Sequence, residues 1–535
     1  MVAVEQERVR PQILPAPRSR FATLIPDLAL VAACVTLFYC LFLFEGYGKL
    51  FRDSDAGWHI RTGETILATG TIPHTDPYSF SRAGQPWFDW EWLSDVAAGA
   101  AHRAAGLGGV ALLYAVAIAA GVWLWFRLHW MVGGNFFLAA AMAPLLLTTC
   151  SLHWMARPHI FGWLFLLATV IFAERVGAGL MVIALLTALW ANMHASFFLA
   201  PVIFLIYAAG AGLRSLFWDV GQDDILRGGS LPPPEGRLPI GRSLPSCPTT
   251  YFLSAALVST LAPLANPYGW HLYTHVFHYL TDSRLLAGIG EYQSFDFHSA
   301  GAGQIAAALL IGAAGGVLAL SRRRPEHFLL AALFSTMALR SARVLPIAAL
   351  LLLPLANGAI TSSLARASGL KPRFRRALDS FLAYSARLHS LDARASGLML
   401  APLAVAACFA LLQAPGIRAA TGFPAGEFPV AAYSHIPASA RLFATDKFGG
   451  YLIYRSAGAL KVFFDGRSDF YGADFLIRYG RLVQVRAGWQ QDWNSFGFSH
   501  ALLPPDAPLR AALEQAGWRA VYSDQTAVLL VASGT

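Results

Sequence analysis

The sequence carries little charge and few cysteines, and each shortage excludes a class of protein. Asp, Glu, Lys and Arg make up only 13% of the 535 residues, against roughly 25% in an ordinary soluble domain. Hydrophobic residues reach 56% and lie in repeated blocks, so a water-soluble core is ruled out and an integral membrane protein is expected. The five cysteines (Cys34, Cys40, Cys150, Cys247, Cys408) are scattered, four of them in apolar runs. They form neither a metal spacing nor a disulfide framework, so cysteine chemistry is not expected. Acidic side chains are the scarcer sign, 31 against 40 basic, for a formal charge of +9. That excess does not point to nucleic acid. It gathers in the N-terminal tail, at 321–324 and at 366–394, where Lys371, Arg373, Arg375 and Arg376 cluster. Loops flanking membrane spans acquire such a bias from the positive-inside rule. The first apolar run lacks a small-residue cleavage pattern and reads as a retained span. No internal repeat or low-complexity tract stands out.

What is present is a series of apolar runs near bilayer length. They predict spans at 26–44, 109–127, 135–152, 159–174, 178–192, 196–213, 250–266, 301–320, 326–340, 344–361 and 397–414, about eleven crossings. The 178–213 pair also reads as a broken or re-entrant element. With residues 1–25 as a cytoplasmic tail, alternation places 127–134, 214–249, 321–325 and 362–396 inside. The 214–249 loop holds Leu231-Pro-Pro-Pro-Glu-Gly236 and reads as irregular. The loop 45–108 and the tail after 415 fall outside. The expected fold is a polytopic α-helical membrane domain over 26–415 with a small extracytoplasmic α/β domain over 420–535. In that tail, Tyr451–Tyr454, Lys461–Phe464 and Ala527–Val531 read as strands and 507–517 as an amphipathic helix.

Polar residues collect at span ends on the predicted outer face. The first outer loop opens with Asp53-Ser54-Asp55, two carboxylates that project to one side if the segment is extended. It continues through Trp58, His59, Glu64, His74 and Asp76 to Trp87-Phe-Asp-Trp-Glu-Trp92, which contains Asp89 and Glu91. His153, Arg157, His159, Asn192, His194, Asn266, Asp282, Arg284, Glu291, Asp296, Arg340 and Arg343 fall on the same face. Ionisable groups at membrane depth are expensive and usually face a polar cavity. A binding or active site is therefore expected there. Each element has a plainer alternative. The tryptophans suit an aromatic belt, the three arginines suit anchors to lipid phosphate, and Asn192 and His194 suit a broken helix backbone. In the tail, Asp465, Arg467 and Asp469 either line the same cavity or simply build a turn after Gly449-Gly450.

The phrase Asp53-Ser-Asp-Ala-Gly-Trp-His-Ile-Arg-Thr-Gly-Glu64, followed by Gly70–Phe80, Glu91–Asp95, Phe448–Tyr454 and Val462–Tyr471, is similar to a group of bacterial GT-C-like membrane proteins. The layout resembles the GT-C superfamily of integral-membrane glycosyltransferases, which includes oligosaccharyltransferase catalytic subunits, protein O-mannosyltransferases and aminoarabinose transferases. The resemblance implies transfer of a sugar from a polyprenyl-phosphate donor to a lipid, glycan or protein acceptor, at the outer face of a bacterial inner membrane. It implies Asp53 or Asp55 as the base that takes the acceptor's proton. Cations at the leaving phosphate would be Arg157, Arg340 and Arg343, or a divalent ion (Mg or Mn) held by Asp53 and Asp55. His59, Glu64, Asp76, Glu91, His159, Asn192, His194, Asp465 and Arg467 would contact substrate. No Trp-Trp-Asp acceptor motif of oligosaccharyltransferases is present, which argues against peptide glycosylation. Two other functions share the layout: a flippase or transporter of lipid-linked saccharides, and a catalytically silent GT-C-like subunit of a membrane complex. A transporter should show two related halves with half-helices at mid-bilayer, and the sequence shows none.

Overall fold

The computed structural model describes residues 23–219 and 248–532, so the Pro-rich stretch at 231–236 and Cys247 lie outside it. The molecule is mostly helical, with one small sheet near the C-terminus. Each of the eleven expected apolar runs is a helix, and among the described residues five helices are long and apolar enough to cross a membrane. These are Leu28–Lys49, Trp92–Met131, Ala195–Phe217, Ala302–Leu320 and Ala342–Ala365. The other six are shorter: Phe136–Ser151, His159–Arg175, Leu180–Met193, Pro248–Leu261, Pro325–Arg340 and Leu400–Leu412. Local chemistry fixes several starts. Asp27 accepts the Leu30 N–H and caps the first helix, and Asn135 does the same for Phe137 and Leu138. The 178–213 pair is broken at His194, whose extended backbone separates Leu180–Met193 from the helix that follows.

Loops sort by end. Asp27 pairs with Arg127 at 2.5 Å, Asn357 donates to the Asn135 carbonyl, and Arg324 and His327 both reach Glu174. Arg214 bonds Glu326 at the same end. Helix Pro372–Asp392, which carries Arg373, Arg375 and Arg376, occupies what the sequence suggested was a loop. The segments 53–95, 153–159, 194–196, 268–291, 341–343 and 465–469 meet at the opposite end, as the contacts below show.

At that site end the 45–108 segment is not extended. Asp53 Oδ1 accepts the Asp55 N–H at 2.9 Å and opens a helix, Asp55–Thr69. A second helix starts at Trp92 and continues into the bundle through a kink at Ala105 and Gly106, where the φ/ψ values leave the helical region. Close backbone approach locks these pieces together. A methyl group on Gly63 would overlap the Asp95 carbonyl, and one on Gly57 would overlap the Gly450 carbonyl.

Gly450 belongs to helix Asp446–Arg455, so Tyr451–Tyr454 is helical, not the expected strand. Residues 461–464 also fail to form a strand. Val462 makes a single bridge to Ser79 in the first loop. The tail's sheet consists of β1 (Leu442–Ala444), β2 (His500–Leu503), β3 (Arg519–Ser523) and β4 (Val528–Val531) in the order β1-β2-β4-β3. The β1–β2 pair is parallel and the other two pairs are antiparallel. Strand β4 and helix Pro508–Gln515 fall where expected. Trp58, Tyr78 and Trp87 of the first loop are buried in the same cluster as Phe448, Leu452 and Leu529 of the tail. The tail's core is therefore completed by the loop it sits on.

Candidate active site

Arg157 is the hinge of the site. Its Nη1 lies 2.8 Å from Asp53 Oδ2 and its Nη2 lies 2.8 Å from Asp55 Oδ2, so one guanidinium bridges both carboxylates. Nη1 also reaches Glu291 Oε1 at 3.1 Å, and Glu291 Oε2 accepts from Arg343 Nη1 at 3.1 Å. Three carboxylates and two guanidiniums thus alternate in one row. Burial, then the neighbouring Asp53, push Asp55 up to about 8, although Arg157 opposes them. Burial acts the same way on Glu291, but Arg157 and Arg343 outweigh it and hold that carboxyl well below its usual range. Gly466, with φ +86°, closes over the row. A methyl group there would stand 2.7 Å from Asp55 Oδ1.

Two chambers meet at this row. A deep one of about 190 Å³ lies among the bundle helices, with Trp163, Leu166, Leu199, Phe334, Met337 and Ile347 as its apolar wall. A wide one of about 930 Å³ lies under the tail, edged by Arg52, Arg284, Lys447 and Arg486. Asp55, Arg157, Tyr279, Glu291, Arg343, Gly466 and Ser468 line both.

The deep chamber collects most of the polar residues singled out in the sequence. His59, Glu91, His159, His194 and Arg467 line it with Asp55, Arg157 and Arg343. His159 Nε2 donates to the His153 carbonyl at 2.8 Å, and His194 Nδ1 meets Ser196 Oγ at 2.7 Å. Arg467 is wedged against the Trp87 and Phe470 rings, 4.6 and 4.8 Å from their centroids. It donates to both Asp465 oxygens and to Asp76 Oδ1. Its Nη1 is buried without a partner, as are Trp58 Nε1 and His153 Nδ1, which belong to residues of the same lining.

Other expected residues line neither chamber. Glu64 is held by Arg61 and His102 at 2.5 and 2.6 Å. Asp76 accepts from Tyr78 N, Ser79 N and Ser79 Oγ and holds a turn. Asn192 is used up by Trp92, Ala188 and Ala265. Arg340 is exposed at a helix end. Asp465 acts through Arg467. Sequence reasoning placed Glu291 and His153 on this face without giving them a role. Nothing local marks them, because their partners lie far away in the chain. Trp58 was visible only as part of an aromatic-rich phrase.

Among the described residues no group of three or more His, Cys, Asp or Glu side chains is arranged to hold an ion. The cation shared by Asp53 and Asp55 is a guanidinium, and no step below runs through a metal.

No protein-family profile matches the chain, and no curated protein matches it. Among solved structures it is similar to the Archaeoglobus fulgidus oligosaccharyltransferase, in a crystal structure with a tethered acceptor peptide containing the NVT sequon. The TM-score is 0.49 and the identity 12%, over 89% of this chain and 68% of that one, and no residue role transfers on a likeness of that size.

Proposed function

We propose that the chain is a multi-pass membrane glycosyltransferase that moves a sugar from a polyprenyl-phosphate donor to an acceptor hydroxyl. The observation that carries this reading is the row Asp53–Arg157–Glu291–Arg343, set where a deep chamber with an apolar wall meets a wide polar one. A prenyl chain suits the apolar wall and a hydrophilic acceptor suits the wide chamber. As the bond between the anomeric carbon and the phosphate breaks, negative charge grows on the leaving oxygen. Arg157 and Arg343 supply fixed, partly buried cations to meet it. Asp53 and Asp55 hold the Arg157 fork in one orientation, so little reorganisation remains for the reaction to drive. The eleven apolar helices act as spans. The basic end faces the cytoplasm of a bacterial inner membrane, and the site end with the tail faces outward.

The test is release of undecaprenyl phosphate from undecaprenyl-phosphate-linked sugars by the full chain in lipid nanodiscs. Arg157→Ala is expected to lower turnover on the order of 10²-fold, the size of effect when one charge-stabilising donor is removed. A chelator should leave the wild-type rate unchanged. Movement of the glycolipid across the bilayer with its sugar bond intact would overturn the reading in favour of a flippase.

A further inference from the structure

Asp53 and Asp55 have few free lone pairs. Their Oδ2 atoms are on Arg157, Asp53 Oδ1 is on the Asp55 N–H, and Asp55 Oδ1 lies under Gly466. Glu91 is the opposite case. It is nine-tenths buried and lines the deep chamber, yet among the described residues no donor comes closer than 3.5 Å to its side-chain oxygens. The nearest ring nitrogens are His194 Nε2, 3.5 Å from Oε1, and His59 Nε2, 3.9 Å from Oε2.

Behind Glu91 lies a buried His–Asp pair. His59 Nδ1 and Asp95 Oδ1 are 2.5 Å apart, with a proton between them, so Nε2 is the outlet of the ring and faces Glu91. Asp95 Oδ2 is buried with no hydrogen-bond partner. Glu91, His59 and Asp95 therefore lie in one line from the cavity wall into the protein, with 3.9 Å between Glu91 and His59 and 2.5 Å between His59 and Asp95.

We propose that an acceptor entering by the wide chamber reaches across the shared row to Glu91 on the wall of the deep chamber, and that Glu91 takes its proton and passes it to a buried relay of His59 and Asp95. The proposal rests on the glycosyltransferase reading. The acceptor oxygen bonds to the anomeric carbon as the bond from that carbon to the phosphate oxygen breaks, and the electron pair stays on the phosphate. The acceptor's proton goes to ionised Glu91 and on to His59 Nε2, while the Nδ1 proton moves onto Asp95 Oδ1. The imidazole is neutral before and after, as suits a ring whose burial, reinforced by Arg157, disfavours its charged form. Glu91 is the proton-accepting group, and His59 and Asp95 are positioning residues.

Burial pushes Glu91 up to about 8, with Arg343 and Arg157 pulling it down and Asp469 and Asp89 pushing it further. His59 and His194 face it from the other two sides. Only the ionised form accepts a proton, so turnover should rise with pH until about pH 8 and then level off.

The experiment has two arms, both on the full chain in nanodiscs. In pH-difference infrared spectra, which need no substrate, a protonated-carboxyl band is expected to disappear near neutral to mildly alkaline pH. One component should vanish in Glu91→Gln and persist in Asp55→Asn; its survival in Glu91→Gln overturns the assignment. In the second arm, turnover of an undecaprenyl-phosphate-linked sugar is followed against pH. Glu91→Gln should lower kcat on the order of 10²–10⁴-fold with KM within about twofold, and Glu91→Asp should restore part of it. Asp95→Asn should lower kcat and change the pH profile without changing KM. Full kcat in Glu91→Gln, with loss in Asp55→Asn, overturns Glu91 as the proton acceptor. Wild-type protein that turns over none of these donors overturns the glycosyltransferase reading instead, and the infrared arm then decides the relay by itself.

Discussion

Gly466 sets the position of the Asp55 carboxyl through what it lacks. Its φ of +86° is reached easily by glycine alone, and a Cβ there would stand 2.7 Å from Asp55 Oδ1. Gly466→Ala should therefore cost about 1–3 kcal/mol in backbone strain and push Asp55 off Arg157 Nη2. A fall in detergent melting temperature together with lower turnover is the expected result. Unchanged values of both would mean that the Asp55–Arg157 bridge tolerates displacement. At this scale the sequence was partly legible. Asp53 and Asp55 stood out because carboxylates are rare in so apolar a chain. Glu291 did not stand out, since its importance comes from Arg157, which lies 134 residues away. Glu64 and Asp76 misled for the converse reason. They share the dense polar phrase with Asp55, but the helix Asp55–Thr69 turns Glu64 toward Arg61 and His102, and Asp76 turns back on Ser79.

Among elements, two helices carry the site by touching at glycines. Gly57 on Asp55–Thr69 and Gly450 on Asp446–Arg455 admit each other's backbone, where a methyl group on either would strike main-chain atoms. Gly57→Ala should overpack this crossing at a cost of about 1–3 kcal/mol and tilt the start of the helix that bears Asp55. Faster proteolysis within 420–532 is the expected sign, and an unchanged digestion pattern would show that the crossing has slack. The same crossing explains the misread strand. Tyr451-Leu-Ile-Tyr454 is apolar on consecutive positions, as a buried strand would be, but its helix is covered almost all round, with Phe448 through Ile453 buried. A run with no polar face carries no period to read. Strand β4 was legible because its run of Val and Leu is short and bounded by turn residues. The bundle helices were legible for a simpler reason, since long apolar runs leave few alternatives. Their ends were less so, because the kink at Ala105–Gly106 joins loop helix and bundle helix into one element.

Across the whole molecule, loop and tail are built as one body. Trp58, Tyr78 and Trp87 supply part of the tail's core, and Arg467 of the tail is held by Asp76 of the loop at 2.7 Å. The tail was legible as a change of composition, but its dependence on the loop was not, because the pairing spans 391 residues. The division into two chambers with a common wall has a kinetic meaning. On the proposed glycosyltransferase reading, a lipid entering among the bundle helices and an acceptor entering under the tail do not compete for one opening, and both must be present before a bond can form between them. Initial rates measured against both substrates should therefore give reciprocal plots that intersect, as for a ternary complex. Parallel lines would mean that the sugar first rests on the protein itself.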